Sequence, residues 1–309
     1  MTVTTAVKAP NTARRASKQR PLWSLLRRKS APYAFILPFI IVFAAFSVYP
    51  LIFTFRLSFT NWHGTGVPEA IGWGNYTYLL SNSDFWGSLG NAGVLWLLII
   101  PTQVVLGMLA AVLLNNAKLR ARGFFRTAFI VPFVAPIVAI AQIWIVVFDQ
   151  NYGAVNGFLH FFGIPNIGWL TTTVWSKPTI ALLFLWKTTG FAIIIFLSGL
   201  QSIDRTVYEA AEIDGATPAR QLWNITVPLM RRTLMFLVVL QTLAVFQMFA
   251  EPYVVTKGGP YGSTTTAGLY LYNHITVADL GTGAANSFLL VIIVMGLSLV
   301  FVRLLRAKD

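Results

Sequence analysis

The stretch that decides the fold is YEAAEIDGATPARQLWNITVPLM, residues 208–230. Within six positions it carries three acids in an otherwise mostly apolar chain: Glu209, Glu212 and Asp214. Gly215 is well placed to end a first helix in a left-handed turn, where a Cβ atom is costly. Pro218 then suits the first position of a second helix, because that position needs no backbone N–H. The stretch therefore predicts a compact helix–turn–helix with an acidic patch at its centre.

Flanking residues set the limits of this unit. Asp204 and Thr217 are candidate N-caps of the two helices, because their side-chain oxygens can accept the free backbone N–H groups there. Pro228 is expected to break the second helix before the next hydrophobic span. One face of the first helix carries, at helical spacing, Val207, Ala210, Ala211 and Asp214. The two alanines have small side chains, so this face is predicted to be flat enough for another surface to approach closely.

The composition is that of a membrane protein. Of 309 residues, 56% are hydrophobic and 11% are charged, and the mean hydropathy is +0.67, whereas soluble domains carry about 25% charged residues. The net charge of +13 does not indicate nucleic-acid binding, because the basic residues lie mostly at the ends of hydrophobic spans. The absence of cysteine excludes thiol chemistry and disulfides, and the three histidines are too scattered to suggest a metal site: His63, His160 and His274.

The chain is predicted to be an all-α membrane protein with six transmembrane helices, because lipid cannot satisfy free backbone groups and a span needs about 20 apolar residues. The predicted spans are residues 33–55, 89–115, 127–148, 178–201, 233–255 and 286–305. Residues 1–32 hold eight Lys or Arg and no acid, which predicts a disordered basic tail. A signal peptide is the competing interpretation; the apolar run that follows is longer than a signal peptide usually has.

Loop charges predict the orientation. If the N-terminus is cytoplasmic, the inside segments hold 19 of the 23 Lys and Arg residues and the outside segments hold three. Cytoplasmic loops carry the excess of Lys and Arg, so both termini, including residues 306–309, and the loop 202–232 are expected in the cytoplasm. Connectors that rest on lipid usually show a basic face. The acidic sign of the first helix favours a basic protein partner instead.

Several polar or aromatic residues within the spans are candidates for a solute pathway. Lys187 is a functional candidate because an ionisable group is costly within a span. In the alternative interpretation, its long aliphatic stem carries the charge outward to water. The other candidates either contact a solute or serve as helix–helix contacts and interfacial anchors: Gln142, Trp144, Gln241, Gln247 and Glu251.

The stretch that opens this section resembles the EAA motif of binding-protein-dependent ABC importer permeases. The resemblance rests on Glu209-Ala210-Ala211, Asp214-Gly215-Ala216, Leu222, Ile225 and Val227-Pro228. PYVVTKGGPYGSTTT, residues 252–266, is similar to the last outside loop of carbohydrate-uptake permeases, chiefly the first permease subunits of maltose, glycerol-3-phosphate and trehalose importers. Lesser matches, YPLIFTFRLSFTNW and GFFRTAFIVPFVAPIVAIAQIW, extend the similarity to about residues 33–305.

The resemblance implies a six-helix permease in the bacterial inner membrane that forms half of a sugar pathway. Its partners would be a second, different permease subunit, a dimer of ATP-binding cassette ATPases and an external solute-binding protein. The motif residues 209–211 and 214–216 would couple to the ATPase. The chain lacks a Gly-x-x-x-x-Gly-Lys-Ser/Thr loop, so it is expected to have no enzymatic site and no cofactor of its own, with ATP and Mg²⁺ used by the partner ATPase.

Two other classes compete with this interpretation. A secondary transporter or channel for a small polar solute would also show six spans, but it would not need an acidic cytoplasmic helix–turn–helix. A membrane enzyme would need clustered His, Asp or Glu near one membrane face. The one acid cluster is the stretch 208–230, and it has no His or Cys partner.

Overall fold

The computed structural model describes residues 33, 35–116 and 119–305. The predicted tail, residues 1–32, and the last four residues, 306–309, lie outside the described residues. By its internal contacts the chain divides into two units, residues 1–54 and 55–309.

Most of the described residues are helical. Four helices are long and apolar enough to cross a membrane: α1 (Phe35–Leu57), α3 (Ser83–Asn115), α7 (Thr173–Gln201) and α13 (Leu280–Leu305). Two bent pairs bring the number of candidate spans to six: α4 (Arg122–Val134) with α5 (Ile137–Val147), and α9 (Pro218–Leu229) with α10 (Arg231–Phe246). Shorter helices connect them: α2 (Gly74–Ser81), α6 (Ala154–His160), α8 (Arg205–Ile213), α11 (Ala250–Thr256) and α12 (Ala267–Thr276). The prediction of an all-α membrane fold is confirmed.

The third predicted span, residues 127–148, is not one continuous helix. The axes of α4 and α5 differ by 96°. Ala135 and Pro136 between them are both extended, with ψ of 143° and 126°. The residue before a proline is pushed out of the α region by the proline ring, so Pro136 accounts for the position of the break. Pro132, by contrast, is accommodated inside α4.

The fifth predicted span, residues 233–255, is also interrupted. Its main helix α10 ends at Phe246, and Gln247 to Phe249 leave the helical conformation before α11 begins. The bend ahead of α10 lies at Met230 and measures 68°. Pro228, which was expected to break the helix, lies inside the last turn of α9. A π-helical turn, Leu222–Thr226, lies just before this proline. In a π-helical turn the backbone hydrogen bonds span five residues instead of four, so the regular α-helical pattern is already interrupted where Pro228 lacks its N–H donor.

The centre of the second unit is the contact between α3 and α7. Gly107 of α3 lies against α7, because a Cβ atom on it would be 3.1 Å from the Phe196 ring and 3.3 Å from the Ala192 methyl group. Gly190 of α7 lies directly against the backbone of α4. The approach is so close that a Cβ atom on Gly190 would be 1.7 Å from the carbonyl oxygen of Phe129. Small residues let membrane helices approach this closely. The α3–α7 core carries the segment 202–232 at its end.

Polar contacts hold together the segment between α1 and α2. A two-residue hairpin pairs Thr60–Asn61 with Glu69–Ala70. The Asn75 amide of α2 donates to the carbonyls of Ser58 and Thr60, at 3.0 and 2.9 Å. These bonds tie the start of the second unit to α2.

Candidate functional site

We call residues 202–232 the EAA segment, and its first helix is α8. The Asp204 carboxylate accepts a hydrogen bond from the backbone N–H of Thr206 at 2.9 Å and caps α8. That backbone N–H, assisted by the Thr206 hydroxyl, holds the pKa of Asp204 below its usual value. Glu209 lies one turn along and forms an exposed ion pair with Arg205, with Nε and Oε1 3.4 Å apart. Exposed i,i+4 pairs contribute little to stability, so the Glu209 carboxylate remains available to a partner.

The turn after α8 is a Schellman motif, a paired set of C-terminal backbone hydrogen bonds. The N–H of Ala216 donates to the carbonyl of Ala211 at 2.9 Å, and the N–H of Gly215 donates to that of Glu212 at 3.0 Å. Gly215 adopts φ of +73°, a conformation that glycine adopts at little cost. The geometry therefore agrees with the helix end predicted from the sequence.

The second helix, α9, begins at Pro218, and the Thr217 hydroxyl accepts the backbone N–H of Arg220 at 3.4 Å. A tyrosine bridge holds the two helices together. The hydroxyls of Tyr208 and Thr226 are 2.9 Å apart, and the Gln221 amide donates to the carbonyl of Ala216 at 3.3 Å. Bonds between the two helices make the EAA segment one unit.

The flat face predicted on α8 is only partly correct. Val207, Ala210 and Asp214 are exposed, whereas Ala211 is 9% exposed and faces the rest of the chain. Ala211 is three residues after Tyr208 and therefore lies on the same face of α8, the face whose tyrosine hydroxyl reaches Thr226 of α9. The exposed alanine available to a partner is therefore Ala210.

The exposed surface of the EAA segment combines acids with large apolar side chains. Glu209, Glu212 and Asp214 are all exposed. Ile213 is 88% exposed and Trp223 is 68% exposed. Exposed aromatic and aliphatic residues beside charges are typical of protein-binding surfaces. The sequence reasoning missed Ile213 and Trp223; their exposure depends on how the two helices pack, which no local pattern indicates.

A cavity of about 640 Å³ lies between the EAA segment and the ends of α3 and α7. The polar residues on its wall include Asn115, Gln201, Arg205, Tyr208 and Glu212. The segment is therefore supported by the helical core from one side and open on the other.

The predicted pathway residues are spread over several helices. Gln142 is exposed on α5, and Trp144 is half-buried, stacked on Phe148 at 4.8 Å between ring centres. Gln241 is buried in α10, and among the described residues its Nε2 atom has no hydrogen-bond partner. Gln247 is exposed at the interruption of the fifth span. The structure does not bring these four side chains into one cluster.

Two further pathway candidates lie one helical turn from residues of one apolar cluster, which includes Leu183 of α7 and Val255 of α11. Lys187 of α7 is half-buried, and Glu251 of α11 is 8% exposed. Lys187 Nζ lies 5.7 Å from the ring centre of Phe133, within the range of a cation–π contact.

Aromatic residues that the sequence reasoning missed lie beside the interruption. The ring centres of Phe249 and Tyr272 are 4.7 Å apart, and those of Tyr253 and Tyr272 are 5.0 Å apart. Phe249 and Tyr272 line a cavity of about 350 Å³ together with Gln247. Gln247 is therefore the candidate that lies beside both aromatic rings and empty space.

A larger polar cavity, about 670 Å³, lies between α2, the start of α3 and α12. Its wall includes Tyr78, Asn82, Asp84, Asn91, Tyr270 and Asn273. Burial raises the pKa of Tyr270 to about 12. Tyrosine and asparagine side chains are suited to hydrogen-bonding a polar ligand or a partner surface.

The six spans and the exposed acidic helix pair together define a subunit of a membrane transport system. Residues 103–309 match the family model described as a binding-protein-dependent transport system inner membrane component, and the chain belongs to this family. Its membership sets aside the alternative of a secondary transporter or channel.

Curated relatives are similar over most of the chain. The sulfoquinovosyl glycerol transport system permease protein SmoG of Agrobacterium fabrum is 34% identical over 283 residues, which cover 90% of this chain and 89% of that protein. The trehalose/maltose transport system permease protein MalF of Thermococcus litoralis is 32% identical over 284 residues, 91% and 96% of the two chains. The lactose transport system permease protein LacF of Rhizobium radiobacter is 33% identical and covers 90% and 94%.

The fold is also that of a solved transporter. A chain of a bacterial ABC transporter involved in the import of the acidic polysaccharide alginate aligns with a TM-score of 0.79 at 23% identity. The alignment covers 93% of this chain and 99% of that one. The predicted ABC importer permease fold is therefore confirmed.

Proposed function

We propose that this chain is the permease subunit of an ATP-driven sugar importer, in which it forms half of the translocation pathway. The observation that carries the proposal is the exposed acidic surface of the EAA segment, built as one rigid unit on the end of the α3–α7 core. Full-length relatives named as permeases for sugars and sugar derivatives support the substrate class.

The coupling step follows from the shape of the EAA segment. The exposed carboxylate of Glu209 pairs with a basic residue of the ATPase, while Ala210 allows close approach. Ile213 and Trp223 supply apolar contact area at the edge of that surface. Gly215 keeps the turn tight, so a push on α8 is transmitted to α9 and onward to α10. Closure of the ATPase dimer around ATP and Mg²⁺ then moves the spans between inward-open and outward-open arrangements.

The orientation is the one that the loop charges favour. With 19 of 23 Lys and Arg residues on one side, the EAA segment and both termini lie in the cytoplasm. The polar cavity that contains Tyr78, Asp84 and Tyr270 then lies outside, where we place the contact with a solute-binding protein. A second, different permease subunit completes the pathway.

Solute contacts within the membrane are assigned to the interrupted fifth span and its neighbours. Broken helices expose backbone groups and mark binding sites in many transporters. Gln247 lies at the interruption, and Trp144 provides an aromatic face on α5. Gln142, Gln241, Lys187 and Glu251 are the remaining candidates for the pathway.

The test is reconstitution of the purified complex in proteoliposomes with its ATPase and binding protein. We expect sugar uptake that requires ATP on the EAA side, and ATP hydrolysis that rises when the binding protein carries its sugar. Omission of the binding protein is the matched control. Uptake that continues without the ATPase and follows an ion gradient would contradict the proposal.

A further inference from the structure

The connection between α5 and α7 carries an exposed aromatic surface that the transport function leaves unexplained. Phe158, Phe161 and Phe162 expose 62%, 88% and 68% of their surfaces. The rings of Phe158 and Phe162 lie edge to face, with centres 5.3 Å apart. We call these three residues the phenylalanine patch. Large apolar side chains that are exposed together mark a contact with a partner or with lipid.

The helix that carries the patch is anchored through a buried amide. Asn156 of α6 is 2% exposed. Its Nδ2 atom donates to the carbonyls of Gln150 and Ile167, both at 2.9 Å. Its Oδ1 atom accepts the backbone N–H of Ile167 at 3.2 Å and the indole N–H of Trp169 at 2.8 Å. With both ends of the amide bonded, this side of α6 is fixed to the chain before and after it.

The phenylalanine patch lies on the opposite side of α6. Its members follow Asn156 by two, five and six residues. The helical turn continues past the end of α6, because the N–H of Phe161 donates to the carbonyl of Phe158 at 3.2 Å. At about 100° per residue, all three rings point away from the anchored amide. The exposed rings therefore form a defined face of the helix.

Aromatic contacts place α6 at the level where two spans end. The ring centre of Trp169 is 5.8 Å from that of Phe148, which directly follows α5, and 5.0 Å from that of Trp175, in the first turn of α7. The headgroup region adds about 5–7 Å to each side of the hydrocarbon core. A helix held beside the ends of two spans lies in that region.

The whole connection is free of charge. Residues 150–176 contain no Lys, Arg, Asp or Glu. An uncharged apolar face can enter the boundary between headgroups and acyl chains, to a depth of about 5–10 Å, without the cost of desolvating an ion. Attraction of basic residues to anionic lipid has no part here, so neutral lipid is sufficient.

We propose that the phenylalanine patch inserts into the boundary between the headgroups and the acyl chains of the bilayer. In this arrangement α6 lies along the membrane surface between the ends of α5 and α7, and the partner of the patch is phospholipid. This contact goes beyond the transport function, so it can be measured in the complex without solute or ATP.

The experiment uses a fluorescent label in the full chain, assembled with its partner subunits in nanodiscs of phosphatidylcholine. The chain has no cysteine, so Phe161→Cys provides one attachment site when the partner subunits also lack reactive cysteines. Phospholipid that is brominated near the headgroup end of its acyl chains quenches labels at the boundary, and iodide quenches labels in water. We expect the label at position 161 to lose fluorescence with brominated lipid and to be shielded from iodide.

Tyr261→Cys is the matched control. Tyr261 is also an aromatic residue and is fully exposed, but it lies in the connection between α11 and α12. Its label is expected to be quenched by iodide and not by brominated lipid, so the order of the two positions reverses between the two quenchers. Phe158→Cys repeats the measurement on the same helix face if Phe161→Cys does not assemble.

Two results would overturn the proposal. One is quenching of position 161 by iodide to the same extent as position 261, which would place the patch in water. The other is protection of position 161 from both quenchers, which would show that a protein partner covers the patch instead of lipid.

Discussion

The turn at Gly215 offers the sharpest test of the coupling surface, by means of the substitution Gly215→Val. A Cβ atom at Gly215 would meet nothing within 4 Å, so the Cβ atom itself adds no clash. Its cost is the left-handed backbone, with φ of +73°. That conformation costs a residue with a Cβ about 1–2 kcal/mol, which disfavours the closed turn by a factor of roughly 5–30.

A second glycine provides a closely matched control. Gly163 also has φ of +73° and free space around its Cβ position. It too ends a helix, because the N–H of Ile164 donates to the carbonyl of Leu159 at 3.3 Å. Gly163→Val therefore imposes the same backbone strain outside the EAA segment.

The assay is ATP-driven uptake in proteoliposomes, normalised to the amount of assembled complex. We expect Gly215→Val to reduce uptake by roughly 5–30-fold, because the turn transmits motion between α8 and α9. Gly163→Val is expected to retain uptake although its stability falls similarly. Equal uptake by the two variants would refute the assignment of Gly215 to coupling.

Three further outcomes are expected. Glu209→Lys should abolish co-purification with the ATPase, whereas Glu69→Lys, at another exposed acid, should not; equal association of the two would count against the docking surface. The pKa of Asp204 is lowered by the backbone N–H that it caps, so the stabilisation by its carboxylate is complete above the ordinary pKa of about 3.9 and is lost as the pH falls through the lowered value. The unfolding temperature should therefore change less between pH 7 and pH 3 in Asp204→Asn than in the unchanged chain. An equal change in both would refute the assignment of this pH dependence to Asp204. Gly190→Ala should prevent assembly, because the Cβ would lie 1.7 Å from a carbonyl oxygen of the facing helix, whereas Gly93→Ala has free space and should give a normal yield on size-exclusion chromatography.

Local signals were sufficient for the caps and the turn of the EAA segment. Asp204, Gly215 and Thr217 occupy their predicted cap and turn positions, because capping depends on a few neighbouring backbone groups. The class of fold was also predictable, since membrane length and hydropathy are sums over many residues. Motifs in the sequence indicated the transporter family.

Tertiary packing decided what the sequence did not predict. The proline at 136 was visible, but the 96° bend depends on how α5 packs. The interruption at Gln247–Phe249 was not predicted, although Pro252 in the first turn of α11 is a local signal for it, because proline is tolerated at the start of a helix and disrupts a helix that continues through it. Ala210 and Ala211 are neighbours in sequence, and the packing of α8 against the rest of the chain determines that Ala211 is the buried one.

The central claim is that the EAA segment is the ATPase-binding surface of a sugar importer. The chain has no cysteine, so one cysteine at the exposed position Ile213 gives a unique attachment point for a photoreactive crosslinker. In the assembled, active complex we predict a crosslink to the ATPase subunit, formed from the cytoplasmic side, whose yield changes between the nucleotide-free and ATP-bound states. Absence of that crosslink in a complex that still imports sugar would contradict the account.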